Sequence, residues 1–320
     1  MIYALAITGP TASGKTSISI ELAKLFSAEI ICCDSMQIYK EMDIGTAKAT
    51  SDERAAVPHH LLDFLSPKED FSAEEYRKMA LSSAGDISGR GRLPMFVGGT
   101  GLYIDTVMRS QQTDVPESSR EYRDRIMESL KTEEDVLALW QRLLAVDPES
   151  AEAIHKNNVR RVIRALEIYD ATGKPKSYFD RLSRLENPDI KVGMITLDFH
   201  NRENLYERVN KRVDEMMEQG LLEEVSSLYK RGLLEKKTTA AQAIGYKEII
   251  SYLDGKATLA EAIDELKLST RRYAKRQLTW FRHEKEAYRL YLDREDGEMR
   301  SKSDVLAEAV EASRQFIEGF

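Results

Sequence analysis

Four groups of residues have types and spacings suited to chemistry on a phosphorylated substrate. The first is Gly9-Pro10-Thr11-Ala12-Ser13-Gly14-Lys15-Thr16, which fits the pattern G-x-x-x-x-G-K-[ST]. Backbone N–H groups of such a loop wrap a phosphate chain, the lysine reaches its oxygens, and the threonine hydroxyl suits Mg2+. The second is Asp34, which ends the apolar run 28–34. A carboxylate there can be a general base, a magnesium ligand or only the cap of a turn, since Asp-Ser favours caps. The third is Gly98-Gly99-Thr100, where the glycines permit close approach of backbone to a ligand. No Asp follows that run, so a Walker-B carboxylate is missing there, which counts against a motor-type or hydrolytic ATPase. The fourth group is basic. Arg160, Arg161 and Arg164 stand beside Lys156 with no acid between 156 and 164. Arg271, Arg272, Lys275, Arg276 and Arg282 surround Tyr273, Gln277 and Trp280, which share one helical stripe. Basic residues around an aromatic stripe suit an RNA backbone with stacked bases, against the alternatives of a solvated charged face and core aromatics.

These residues need elements to position them. The apolar run Ile2–Thr8 reads as a buried parallel strand, and Ile18, Leu22, Leu25 and Phe26 have a helical period. Strand, glycine turn and helix therefore follow in the order a phosphate loop requires. Further buried strands are expected at 28–34, 92–100 and 191–199. The fold class is α/β: a P-loop parallel sheet flanked by helices. In an open parallel sheet, ligands sit beyond the carboxyl ends of the strands, so Asp34 shares a crevice with the phosphate loop. Ser72, with Glu75 three residues on, opens a helix over 72–84. From 110 to 186 the chain loses long β-branched runs and becomes rich in Arg, Glu and Leu. It reads as amphipathic helices at 119–131, Glu133–Val146, 148–154 and 158–172, the last stopped by Gly173. The expected organisation is a core of 1–109 plus 187–320 and an all-helical insertion of 110–186. Helices at 203–219, 221–231, 266–283 and 304–320, and a glycine turn opening a helix near 241–248, complete the core.

At 320 residues the chain can bury a large core, and 42% apolar composition marks it as globular. No run of eighteen apolar residues predicts a membrane span, and the start lacks the layout of a signal peptide. The only cysteines, Cys32 and Cys33, are adjacent, so neither a disulfide framework nor a zinc site is expected, and a reducing cytoplasm fits. His59 and His60 lack a third ligand at suitable spacing and read as structural or substrate-positioning. A net charge of −7 argues against indiscriminate nucleic-acid binding, so a polyanion must be held by local basic patches. Nothing in the sequence demands more than a monomer.

Together these stretches resemble the tRNA dimethylallyltransferase (tRNA isopentenyltransferase) family along nearly the whole chain. The resemblance rests on Gly9 to Thr16, Asp34-Ser-Met-Gln-Ile-Tyr-Lys40, Gly45-Thr-Ala-Lys48 and Pro58-His-His-Leu. It continues with Val97-Gly-Gly-Thr-Gly-Leu-Tyr103, Arg160 to Glu167, Ala243-Ile-Gly-Tyr-Lys-Glu248 and Lys275-Arg-Gln-Leu-Thr-Trp-Phe-Arg282. The resemblance implies a P-loop kinase-like core with a helical insertion, a need for Mg2+, and prenyl transfer. A dimethylallyl group would move from dimethylallyl diphosphate to the exocyclic amine of the adenosine 3′ of the tRNA anticodon. By position it implies Asp34 as general base, Thr100 contacting the acceptor and Arg123 near the substrate. Asp34, Ser35, Met36 and Gln37, and Arg160, Arg161, Val162, Ile163 and Arg164, would be tRNA-contact segments, joined by Gln242, Gly245 and Lys247. The two basic patches would grip opposite sides of one anticodon stem-loop. With no cysteines near its end, the chain resembles the shorter bacterial form. A small-molecule P-loop kinase and a free-adenylate prenyltransferase share the loop and Asp34 but leave the basic patches without a role. A non-enzymatic RNA-binding module leaves Lys15, Asp34 and Thr100 without one.

Overall fold

A computed structural model describes residues 1–110, 119–182, 185–235 and 238–319. Parts of the expected insertion at 111–118 and 183–184, and residue 320 of the tail helix, lie outside the described residues. The chain divides into two compact units, Met1–Met108 with Asp189–Phe320, and Arg109–Pro188.

The first unit is built on six strands: β1 Ile2–Thr8, β2 Ala28–Cys32, β3 His59–His60, β4 Leu93–Gly98, β5 Ile190–Asp198 and β6 Tyr288–Tyr291. They form one parallel sheet in the order β3-β2-β4-β1-β5-β6. The central strands are apolar on both faces because helices cover both, as a parallel sheet requires. On one face Leu5, Ile7, Met95 and Leu197 pack with Leu22 of the helix Lys15–Leu25 and Ala309 of the helix Lys302–Glu318. On the other, Ala4, Ala6 and Phe96 meet Tyr76, Ala80 and Ala84 of the helix Ala73–Gly89. That helix starts with the expected capping box, Ser72 and Glu75 each closing on the other's backbone N–H. Strand order reverses around β1 and β4, so the phosphate loop after β1, Asp34 after β2 and Gly98 at the end of β4 emerge at one edge.

A third apolar cluster joins Ile38, Tyr39 and Met42 to the helices Arg202–Glu218, Leu221–Lys230, Tyr246–Leu253 and Leu259–Arg282. The last of these starts seven residues earlier than its basic stretch suggests. A capping box of Thr258 and Glu261 sets that start, and the apolar stripe Ala262, Leu266 and Ala274 carries the helix on. Two strands have no counterpart in the sequence reading. β3 has two residues and β6 four, too short for a two-residue period to register.

In the second unit, helices Glu133–Val146, Pro148–Ala153 and Val159–Thr172 bury Leu143, Ala151, Val162 and Leu166 together. Gly173, left-handed at φ 68°, ends the last of them.

Candidate active site

The functional residues of the first unit gather around a cavity of about 570 Å³. Gly14 takes φ 87°, a left-handed turn that L side chains resist, and caps the helix Lys15–Leu25. Gly14, Lys15 and Thr16 line the cavity, so a helix N-terminus and its free N–H groups meet any bound anion. Lys15 Nζ donates to the carbonyls of Gly9 (3.1 Å) and Pro10 (2.7 Å), which curls the loop around its own cation. Burial lowers the Lys15 pKa to about 8; the charge of Asp34 opposes the fall and that of Arg212 adds to it.

Asp34 follows β2 and lines the same cavity. Its Oδ1 accepts from the Met36 N–H at 2.9 Å, which makes it a turn cap as well as a cavity carboxylate. Ser35, Met36 and Gln37 also line the wall. Opposite, the helix Leu259–Arg282 contributes Arg272, Tyr273, Arg276 and Gln277. The Tyr273 phenol is pushed up by burial, and by the nearby charge of Asp34. Gln242 and Lys247 close another side.

The geometry reassigns several residues. Thr100, expected to touch the acceptor, meets the side chains of two residues that line the cavity, Ser35 and Tyr273. Its hydroxyl accepts from Ser35 N–H at 3.0 Å and so pins the turn that carries Asp34. Arg282, itself exposed, is committed to a structural partner: it grips buried Asp198 through two nitrogens, at 3.0 and 2.8 Å, and also binds the Phe199 carbonyl. Arg271 donates to Asn210 Oδ1 at 2.7 Å. Gly245 is the positive-φ start of the helix Tyr246–Leu253 and does not line the cavity. Gln277, read as part of an aromatic stripe, is buried. It accepts from Thr11 N–H (2.8 Å) and donates to the Gly99 carbonyl (2.9 Å), tying the phosphate loop to the turn after β4. Trp280 remains 39% exposed.

In the second unit Arg160 and Arg161 are exposed. Val162, in the unit's core, and Ile163 are both buried, so neither side chain is open to RNA. Arg164 pairs with buried Glu167 at 2.7 Å. Arg123 Nε donates to the carbonyl of Ser119. His59 and His60 do not line the cavity: His60 Nε2 meets Glu29 at 2.7 Å, and His59 Nδ1 meets the Val57 carbonyl.

Two arginines escaped the sequence reading. Arg208 Nε donates to the Ala12 carbonyl at 2.8 Å, bracing the phosphate loop from outside. Arg212 lines the cavity, and its Nε is buried without a hydrogen-bond partner among the described residues. A buried donor left unpaired is costly, so the group is poised for an anion. The signal was present: each arginine directly precedes one of the buried apolar residues of its helix, Val209 and Val213, which puts it at the edge of the packed face.

For Mg2+, the cavity supplies oxygen donors in the Thr16 hydroxyl and the Asp34 carboxylate. No group of three or more His, Cys, Asp or Glu suited to a metal occurs among the described residues. Such a sparse set fits a cation that keeps several waters and takes its other ligands from substrate phosphates.

A family model described as IPP transferase matches residues 37–284. A tRNA dimethylallyltransferase of Thermoanaerobacter sp. (strain X514) is 49% identical over 282 residues, which are 88% of this chain and 89% of that one. One from Geobacillus thermodenitrificans (strain NG80-2) is 52% identical over 282 residues, 88% of this chain and 87% of that one. The crystal structure of a tRNA isopentenylpyrophosphate transferase from Bacillus halodurans is similar with a TM-score of 0.73 and 42% identity, covering 100% of this chain and 98% of that one. A eukaryotic dimethylallyltransferase acting on tRNA has a TM-score of 0.81 at 31% identity, covering 100% of this chain and 80% of its own. With the family model matching residues 37–284 and these relatives along most of its length, the chain belongs to the IPP transferase family.

Proposed function

We propose that this protein transfers a dimethylallyl group from dimethylallyl diphosphate to the exocyclic amine of the adenosine 3′ of a tRNA anticodon, releasing diphosphate. The observation that carries this reading is the shared cavity: Lys15 and Arg212, cations for a leaving diphosphate, face the same space as Asp34. The names of the relatives supply the substrate class.

The allylic C–O bond breaks and its electron pair leaves on a diphosphate oxygen. The loop N–H groups, Lys15 and Arg212 oppose the charge that builds there. Thr16 would hold a magnesium ion, which adds positive charge to the leaving group and leaves the Asp34 carboxylate to act as the base. The adenine amine is a weak nucleophile because its lone pair is delocalised. As nitrogen bonds to the allylic carbon, its proton passes to the Asp34 carboxylate, worth about 10²–10⁴-fold in rate. The acceptor base leaves its stack to reach Asp34, at about a few kcal/mol, and contacts from Arg272, Lys275 and Arg276 offset that cost. Exposed Arg160 and Arg161 add phosphate contacts from the insertion. We read the enzyme as a monomer acting in the cytoplasm. Among the described residues, no helix is long and apolar enough to cross a membrane.

The test is incubation with dimethylallyl diphosphate and Mg2+, offering unmodified tRNA or AMP as acceptor. The expected result is prenylated tRNA with stoichiometric diphosphate. Transfer to AMP alone would make it a free-adenylate prenyltransferase, and transfer to neither would overturn the proposal.

A further inference from the structure

One carboxylate outside the cavity is committed to the backbone of a cavity wall. Glu224, on the helix Leu221–Lys230, accepts at Oε2 from the N–H groups of Asp43 (2.9 Å) and Ile44 (2.7 Å). Its Oε1 accepts from Gly45 N–H (3.1 Å) and the Tyr246 hydroxyl (2.6 Å). A carboxylate offers about four lone-pair sites, and here all four are used. Three successive N–H groups converging on one anion are a backbone nest, filled from within the protein.

The segment so held is a wall of the site. Gly45, Thr46 and Ala47 line the cavity. Ala47 is held at φ 47°, a left-handed conformation that an alanine abandons unless its surroundings impose it. Gly45 packs so tightly on Tyr246 that a Cβ there would lie 2.5 Å from the ring. The wall also reaches back to Asp34. Gln37 Nε2 donates to the carbonyls of Thr46 (3.1 Å) and Ala47 (3.3 Å), and Gln37 lies in the turn over 35–38 that directly follows Asp34.

We propose that Glu224 is a positioning residue for the transfer step: by holding residues 43–47 it fixes, through Gln37, where the Asp34 turn stands relative to the phosphate loop. The inference rests on the proposed function. The phosphate loop makes none of its own bonds to Glu224, so diphosphate affinity is independent of it. Glu224→Gln keeps the size of the side chain but turns an NH2 toward one of the backbone N–H groups, whereas Glu224→Ala removes all four bonds. Tyr246→Phe removes only one.

The experiment measures kcat per pyrophosphate-binding site for these three variants, KM for dimethylallyl diphosphate, and hydrogen exchange of the amides of 43–47. Misplacement of a catalytic group by about 1 Å costs on the order of 10²-fold, so Glu224→Ala should lose about that much kcat, Glu224→Gln about tenfold and Tyr246→Phe about threefold. KM for the diphosphate should stay within about twofold, with amide exchange faster in the same rank order. If Glu224→Ala does not fold, the other two variants decide. Unchanged kcat per site, or unchanged amide exchange, in Glu224→Gln would overturn the role of Glu224. A wild-type enzyme inactive on tRNA would instead overturn the functional reading, while the exchange rates would still judge the anchor.

Discussion

Two basic stretches look alike in the sequence, yet the structure uses their charges differently. In the helix Leu259–Arg282 the cations divide: Arg272 and Arg276 line the cavity, Lys275 is exposed, Arg271 binds Asn210, and Arg282 is locked on Asp198. In the helix Val159–Thr172, Arg160 and Arg161 are exposed while Arg164 serves buried Glu167. A run without acids is therefore no measure of a binding surface. Its cations can be answered by carboxylates far along the chain, as Arg282 is by Asp198, 84 residues away. Arg282 and Arg164 are set apart by the buried carboxylates opposite them, Asp198 and Glu167, which cannot be left unpaired, whereas Arg271 is held by a neutral amide.

The sharpest way to break this division is Arg282→Ala. It leaves the Asp198 carboxylate, 1% exposed, without its cation; because Arg282 itself is 41% exposed, water partly replaces it, and the change should cost about 1–2 kcal/mol of stability. Urea denaturation measures it, and the salt dependence of tRNA binding should not change. The opposite signature belongs to Arg272→Gln, Lys275→Gln and Arg276→Gln together. Stability should hold within about 0.5 kcal/mol, while the slope of log affinity against log salt becomes shallower by about 2. An unchanged slope would return this face to plain solvation. In the insertion, Arg160→Gln with Arg161→Gln should flatten the slope by about 1, and Arg164→Gln should cost about 1 kcal/mol through Glu167 with no change of slope. The smallest effect separates the cavity cation from the surface ones. Burial sets the Lys15 pKa at about 8, so it is charged below that pH and neutral above it. A bound diphosphate favours the charged form, so affinity for a non-reactive allyl diphosphate analogue should fall severalfold from pH 7.5 to 9.5. The arginines stay charged over that range, and tRNA affinity should stay nearly flat.

Much of the fold was legible because its rules are local. β1 was bounded by its apolar run and the glycine turn after it, and the helix Ala73–Gly89 was announced by Ser72 and Glu75. β3 and β6 were not legible, since two and four residues pair only because the sheet already stands beside them. In the site, the phosphate loop and Asp34 could be read from type and strand ends. The roles of Gln277, Arg208 and Thr100 could not, because each depends on a partner 65 to 266 residues away. Arg212 was hidden differently, as one charge among many on an amphipathic helix. Its place just before buried Val213 put it at the edge of the packed face, but the cavity is what separates it from the other charges there.

The account turns on Asp34 receiving the proton of the incoming amine in the cavity that holds the departing diphosphate. The direct measurement is single-turnover prenyl transfer by Asp34→Asn at saturating tRNA and dimethylallyl diphosphate, alongside its affinity for both. The account predicts a rate lower by about 10²–10⁴-fold with affinities within a few-fold of wild type. A wild-type rate in that variant would contradict it.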